Sequence, residues 1–131
     1  MTKIRIDAAD GLTVQAVMHA QLSALPATAT IGDVRDYFAA SGSRRLAFVV
    51  GDDGTYIGSL TPAHVEGGDP ARPAAEVADA EPTVAPAEPA ATGRDLALLT
   101  DARRVPVVDG GRLVGVVAVT GDLQSFCGTT A

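Results

Sequence analysis

Between residues 30 and 42, TIGDVRDYFAASG, the apolar positions recur with helical spacing, so that Ile31, Val34 and Phe38 share one face. Thr30 stands where an N-cap belongs, Asp33 three residues on completes a capping box, and Gly42 supplies the stop. The period then changes. LAFVV at 46–50 reads as a buried strand, GDDG at 51–54 as a turn and YIGSL at 56–60 as a second strand, which predicts a helix followed by a β-hairpin. TPAHVEGG at 61–68 predicts a short helix, with Thr61 as cap, Pro62 at the first helical position and Gly67 and Gly68 ending it.

The second half repeats this order. Thr92 is the predicted cap with Asp95 three residues later, Leu96 and Leu99 supply the apolar face, and VPVV at 105–108 is a strand. DGG at 109–111 is the turn, LVGVVAV at 113–119 the returning strand, and TGDLQSF at 120–126 begins a last short helix. Gly58 and Gly115 align with the copies 57 residues apart, which a duplication explains better than two unrelated halves. DAEPTVAPAEPAAT at 79–92 has the composition of a disordered linker, but its counterpart is HAQLSALPATAT at 19–30. Both are therefore expected to be ordered, with a short extended segment before the capped helix and Pro26 or Pro86 turning the chain. The expected layout is α/β (α+β): tandem β-α-β-β-α copies at 13–66 and 73–125, joined by a linker at 67–72 and forming one compact body.

The chain has 131 residues and 47% apolar content, enough for a compact core. It contains no apolar run of about 18 residues and no signal-peptide pattern at its start, so no membrane contact and a cytoplasmic location are expected. Net charge is −6, with arginines scattered or paired and a single lysine, Lys3, which disfavours nucleic acid. Abundant arginine and alanine read as the codon bias of a GC-rich bacterial genome. Cys127 has no partner for a disulfide and is expected to pack near the C-terminus without chemistry. His19 and His64 are the only imidazoles. With no further ligands for a metal, no Ser/His/Asp set and no P-loop spacing, the chain does not read as an enzyme.

RRVPVVDGGRLVGVVAVTGDL at 103–123 resembles the signature half of a cystathionine-β-synthase (CBS) domain, and RRLAFVVGDDGTYIGSLTPAHV at 44–65 fits the same frame more loosely. VQAVM at 14–18 resembles the family's opening motif, and AAEVA at 74–78 is its worn counterpart. The resemblance implies a stand-alone regulatory CBS pair (Bateman module), expected to form a homodimer. It also implies clefts between the repeats for an adenosine-containing ligand (AMP, ADP, ATP, NAD or S-adenosylmethionine), a partner protein that is regulated, and no required cofactor. In such sites a Thr or Ser at the end of the second hairpin strand is followed three residues later by an Asp that accepts the ribose hydroxyls, which a carboxylate suits. Copy one has Thr61 in register but His64 in place of the acid. In copy two Ala118 takes the threonine position, and Thr120 and Asp122 come late, within reach only if the strand end bulges. Val105 and Pro106 complete the implied ligand-binding set.

Each of these residues also has a structural reading. Thr61, Thr120 and Asp122 suit helix caps, and Arg44-Arg45 and Arg103-Arg104 either meet ligand phosphates or pair with surface carboxylates. Since neither copy keeps the full Thr/Asp pair, a ligand-free dimerisation or docking module is the alternative to the sensor.

Overall fold

The computed structural model describes residues 4–20, 23–42 and 44–126. In chain order they form a single turn α1 (Val14–Val17), strand β1 (Ala24–Pro26), helix α2 (Ile31–Ala39), and strands β2 (Ala47–Val50) and β3 (Tyr56–Leu60). Helix α3 (Ala90–Leu98) and strands β4 (Arg104–Asp109) and β5 (Arg112–Ala118) follow, with 3₁₀ turns at Ile6–Ala8, Pro62–Val65 and Ala74–Glu76. The fold is of the mixed α/β (α+β) class. Cys127 lies outside the described residues.

By its contacts the chain divides into two compact units, Ser23–Glu81 and Met1–Leu22 with Pro82–Ala131. These cut the chain differently from the sequence copies, because each hairpin is packed by the opening segment of the other copy.

In the first-hairpin unit, β2 pairs antiparallel with β3 and parallel with β1. Asp53 closes the hairpin by accepting the Thr55 N–H at 3.0 Å, and Gly54 occupies the left-handed region at φ +84. The capping box at α2 forms as predicted: the Asp33 N–H donates to Thr30 Oγ1 at 3.2 Å, and the Thr30 N–H donates to Asp33 Oδ2 at 2.9 Å. Gly42 is not the stop. The helix ends at Ala39, and Arg44 supplies the closing contact by donating to the Tyr37 carbonyl at 2.7 Å while its guanidinium lies 4.1 Å above the Tyr37 ring. Ile31, Val34, Ala47, Val49, Leu60, Val65 and Ala74 make the core, with Phe38 packed against it.

In the second-hairpin unit, Gly110 (φ +58) and Gly111 (φ +84) form the two-residue loop between β4 and β5, the left-handed pair that a tight hairpin requires. The Pro/Ala-rich stretch before α3 is ordered. Val84 pairs parallel with Val107, as β1 pairs with β2, and is buried.

Two helix predictions fail here. Helix α3 starts at Ala90, with Pro89 and not Thr92 at the cap position, because the Leu12 carbonyl accepts the Ala90 N–H at 2.8 Å and a side-chain cap is not needed. Its buried face is Ala90, Gly93 and Ala97, since a Cβ at Gly93 would already lie 3.2 Å from Val14 and Val117; Leu99 falls beyond the helix end and is 83% exposed. The last helix is absent. Thr120 and Asp122 bind nearby backbone N–H groups and fold 120–125 into a turn, with Leu123 at φ +60, so that Phe126 pairs with Val119. Arg103, at φ +55, donates to the Leu98 carbonyl just as Arg44 serves α2, and Arg104 donates to the Ala102 carbonyl at 2.8 Å. These three arginines are therefore bonded to the backbone of their own unit.

The duplication extends to fine detail. Both hairpins carry a bulge at the same place, between Val49 and Val50 and between Val107 and Val108. In each, the glycine after the bulge admits a crossing segment. Ser59 exchanges backbone hydrogen bonds with Asp79 at 2.8 and 2.9 Å, and Val116 does so with His19 at 2.8 and 3.0 Å. Thus residues 78–79 of copy two lie on the hairpin of copy one, and residues 18–19 of copy one lie on the hairpin of copy two.

Candidate functional site

Strand β3 stops at Leu60 because Thr61 turns the backbone and Pro62, with no N–H to offer a ladder, opens the 3₁₀ turn. His64 then reaches back: its Nδ1 accepts the Thr61 N–H at 2.9 Å and lies 3.0 Å from Thr61 Oγ1. Since Nδ1 is the acceptor, the ring proton of the neutral imidazole resides on Nε2, which points at Asp79 Oδ2, 3.1 Å away. Asp79 is brought there by the crossing segment, its backbone held on Ser59. Copy one therefore has a carboxylate beside the residue at its expected acid position, supplied from 15 positions downstream across a strand pair.

Tyr56 stands at the start of the same strand. Its hydroxyl oxygen is buried with no partner at hydrogen-bond geometry. Burial pushes the phenol above its ordinary range; the nearby Ser59 hydroxyl pulls it back, and the Asp79 charge adds to the rise. The position equivalent to Tyr56 in copy two is Leu113, and those of Ser59, Thr61, His64 and Asp79 are Val116, Ala118, Gly121 and His19. The polar cluster is thus particular to copy one.

A buried, unbonded hydroxyl is a cost to the fold, so Tyr56→Phe is expected to leave the ligand-free protein as stable or about 1 kcal/mol more stable. The sign of its pH dependence follows from the raised phenol. The unfolded tyrosine ionises first, near its ordinary value of 10.0, so the stability it contributes is complete below that pH and is lost as pH rises through the higher folded value. Urea denaturation of both proteins between about pH 8 and 11 should show a smaller alkaline loss in Tyr56→Phe.

In the second-hairpin unit, the Thr120 hydroxyl donates to Asp122 Oδ1 at 2.6 Å and accepts the Ser125 N–H at 3.2 Å, while the same Asp122 oxygen accepts the Gln124 N–H at 3.1 Å. The two residues do come together, but at a turn, and the hairpin's bulge lies at Val107/Val108 and not at the strand end. Asp122 is exposed. Val105 is fully buried in the core, and Pro106, also buried, accepts the Val84 N–H through its carbonyl at 3.1 Å.

Sequence spacing alone pairs Thr61 with His64, whereas Tyr56, Ser59 and Asp79 were missed. The available signal was the alignment of AAEVA-Asp79 with VQAVM-His19, which sets Asp79 against Ser59 once the segments cross. Among the described residues no group of three or more His, Cys, Asp or Glu side chains could hold a metal, and no helix is long and apolar enough to cross a membrane.

The CBS domain family model matches residues 14–65, the stretch that holds copy one and its Thr61/His64 turn. Among solved structures, Hypoxic Response Protein I with two coordinated zinc ions is similar at 25% identity, covering 81% of this chain and 92% of that one with a TM-score of 0.70. The CBS domains of a transcriptional regulator from Streptococcus pneumoniae align at 22% identity over 83% of this chain and 94% of that one, TM-score 0.71. CBSX2, a CBS-pair protein of Arabidopsis thaliana, in complex with AMP, aligns at 19% identity over 86% and 93% of the respective chains, TM-score 0.71. No curated protein matches the chain. Residues 14–65 thus match a CBS domain, and the chain has the fold of a CBS pair.

Proposed function

We propose that this CBS pair is a non-catalytic, cytoplasmic regulatory module of bacterial origin that binds an adenosine-containing ligand, works as a homodimer and signals to a partner chain. The observation that carries the reading is the copy-one cluster at the end of the second hairpin strand, where His64 bonds Thr61 and meets Asp79 across a strand pair. Similar folds have been solved with AMP and, for the cytosolic domain of the Mg2+ channel MgtE, with ATP, which supports the ligand class. A ligand shifts such a module only by binding two of its states with different affinity.

The test is a thermal-shift panel of AMP, ADP, ATP, NAD and S-adenosylmethionine. A ligand present at about 100 times its Kd stabilises by about 2.7 kcal/mol, which for a chain of this size raises Tm by roughly 5–10 °C. A flat panel at millimolar concentration sinks the sensor. It would favour the second reading, a ligand-free dimerisation or docking module, which the self-contained Thr120–Asp122 turn of copy two supports.

A further inference from the structure

We infer that residues 66–73, the stretch that joins the two copies, are a strap latched to α2 by Arg35, and that this strap opens as a unit while the rest of the first-hairpin unit stays folded. The device is independent of the adenosine-ligand reading above.

Four backbone carbonyls pin the strap and its leading edge to α2. Arg35 Nε donates to the Val65 carbonyl at 2.6 Å, and Arg35 Nη2 donates to the Gly68 carbonyl at 2.7 Å. The first two N–H groups of the helix, those of Ile31 and Gly32, donate to the Arg72 and Pro70 carbonyls at 2.9 Å each. Gly67 in the left-handed region at φ +70 and the Asp69 carboxylate, which accepts the Ala71 N–H at 2.9 Å, turn the chain back onto the helix. The hold is polar throughout. Val65 and Ala74 are buried on either side, whereas every residue from Glu66 to Pro73 is exposed. A segment that contributes no buried apolar side chain opens at a lower free energy than the core beside it, so these hydrogen bonds decide whether it stays closed.

The equivalent arginine of the second-hairpin unit marks the difference. Arg35 and Arg94 are each the fifth residue of their helix. Arg94 Nη1 likewise donates to a backbone carbonyl, that of Ile6, at 3.0 Å, and Ala90 bonds the Leu12 carbonyl as Ile31 bonds that of Arg72. The segment held by Arg94 is also fastened by its side chains, since Ala9 is buried and Ile4, Ile6 and Leu12 pack on the core. The strap has no such side chains, and its latch is Arg35. Because Val65 directly follows His64, opening the strap also loosens the 3₁₀ turn that carries His64. Latched and open forms are thus two states between which a ligand or partner can select.

The experiment is limited proteolysis of the full chain by a glutamate-specific endoprotease, with the first products identified by mass spectrometry. Of the four glutamates, Glu81 and Glu88 precede prolines and resist cleavage, which leaves Glu66 in the strap and Glu76 in the 3₁₀ turn beyond it. Wild type should be cut slowly, and first at Glu66. Arg35→Gln should be cut at Glu66 at least about tenfold faster, since cleavage follows the open population and two charged hydrogen bonds are lost. Arg94→Gln should match wild type at Glu66. In wild type, hydrogen exchange should release the Ile31 and Gly32 N–H groups well before those of β2 and with little dependence on urea. An Arg35→Gln chain cut no faster than wild type overturns the inference, as does equal acceleration in Arg94→Gln, or first products cut equally at Glu76, which would signal unfolding of the unit and not opening of the strap. Should Arg35→Gln fail to fold, the exchange of wild type decides alone: Ile31 and Gly32 exchanging only together with β2 overturns the inference.

Discussion

Phe126→Ala is expected to cost about 3–5 kcal/mol of stability, roughly a fifth or more of what a domain of this size ordinarily possesses. Phe126 is the largest fully buried side chain and belongs to the core of the second-hairpin unit with Val14, Val17, Val105, Val117 and Val119. Its backbone is held on both sides: the N–H donates to the Ile4 carbonyl at 2.8 Å, and the residue pairs with Val119. Truncation therefore leaves a cavity that the surrounding chain cannot readily close, and the residue also anchors the segment that pairs Ser125 with Arg5. Tm should fall by roughly 10–20 °C, read by circular dichroism. Leu123→Ala, in the same turn but 41% exposed, should change stability by no more than about 0.5 kcal/mol. If the two variants melted alike, Phe126 would not be a core residue.

The contrast between Phe126 and Leu123 shows where sequence reading succeeds and where it fails. Local patterns were legible. The Thr30–Asp33 box, the strand YIGSL and the two-glycine turn after Asp109 each follow from a few neighbouring residues whose side chains or φ angles decide the outcome. TGDLQSF had the letters of a helix start, but the fate of Thr120 and Asp122 was set by the Ser125 and Gln124 N–H groups that they bind. Likewise Thr92 is a reasonable cap, and α3 begins earlier only because the Leu12 carbonyl arrives from far away in sequence. Helix ends are the least determined local features, because their unpaired groups accept whichever partner the tertiary structure brings.

The candidate site divides in the same way. Thr61 and His64 are three residues apart on one turn, so their pairing could be read directly. Asp79 reaches His64 through a strand crossing, and no local pattern reports which copy's segment lies on which hairpin. Nothing in the sequence therefore ties His64, at the acid position of copy one, to Asp79, although the fold sets their side chains 3.1 Å apart. The unpaired Tyr56 hydroxyl was invisible for a related reason, since an aromatic residue in a strand raises no expectation beyond packing.

Gly58→Val tests that crossing, with an expected loss of about 3 kcal/mol or more. A Cβ at Gly58 would lie 2.8 Å from the Ala78 Cβ and 3.0 Å from the Asp79 carbonyl oxygen. Neither neighbour can turn aside. The Ala78 Cβ is fixed to its backbone, and the Asp79 carbonyl is bonded to the Ser59 N–H at 2.8 Å. Relief requires the strands to part, which breaks the Ser59–Asp79 pair and draws Asp79 away from His64. At Gly115 the nearest atom is Met18 Sδ at 2.7 Å, the far part of a flexible side chain, with the His19 carbonyl at 3.1 Å. Gly115→Val should therefore cost less than Gly58→Val by about 1 kcal/mol, because Met18 can adopt another rotamer. Urea denaturation of the two variants gives the comparison, and AMP titration of Gly58→Val below its melting range gives the functional consequence. A Gly58→Val chain within about 1 kcal/mol of wild type would mean that residues 78–79 are not held against β3, and Asp79 would then lose its claim to the site.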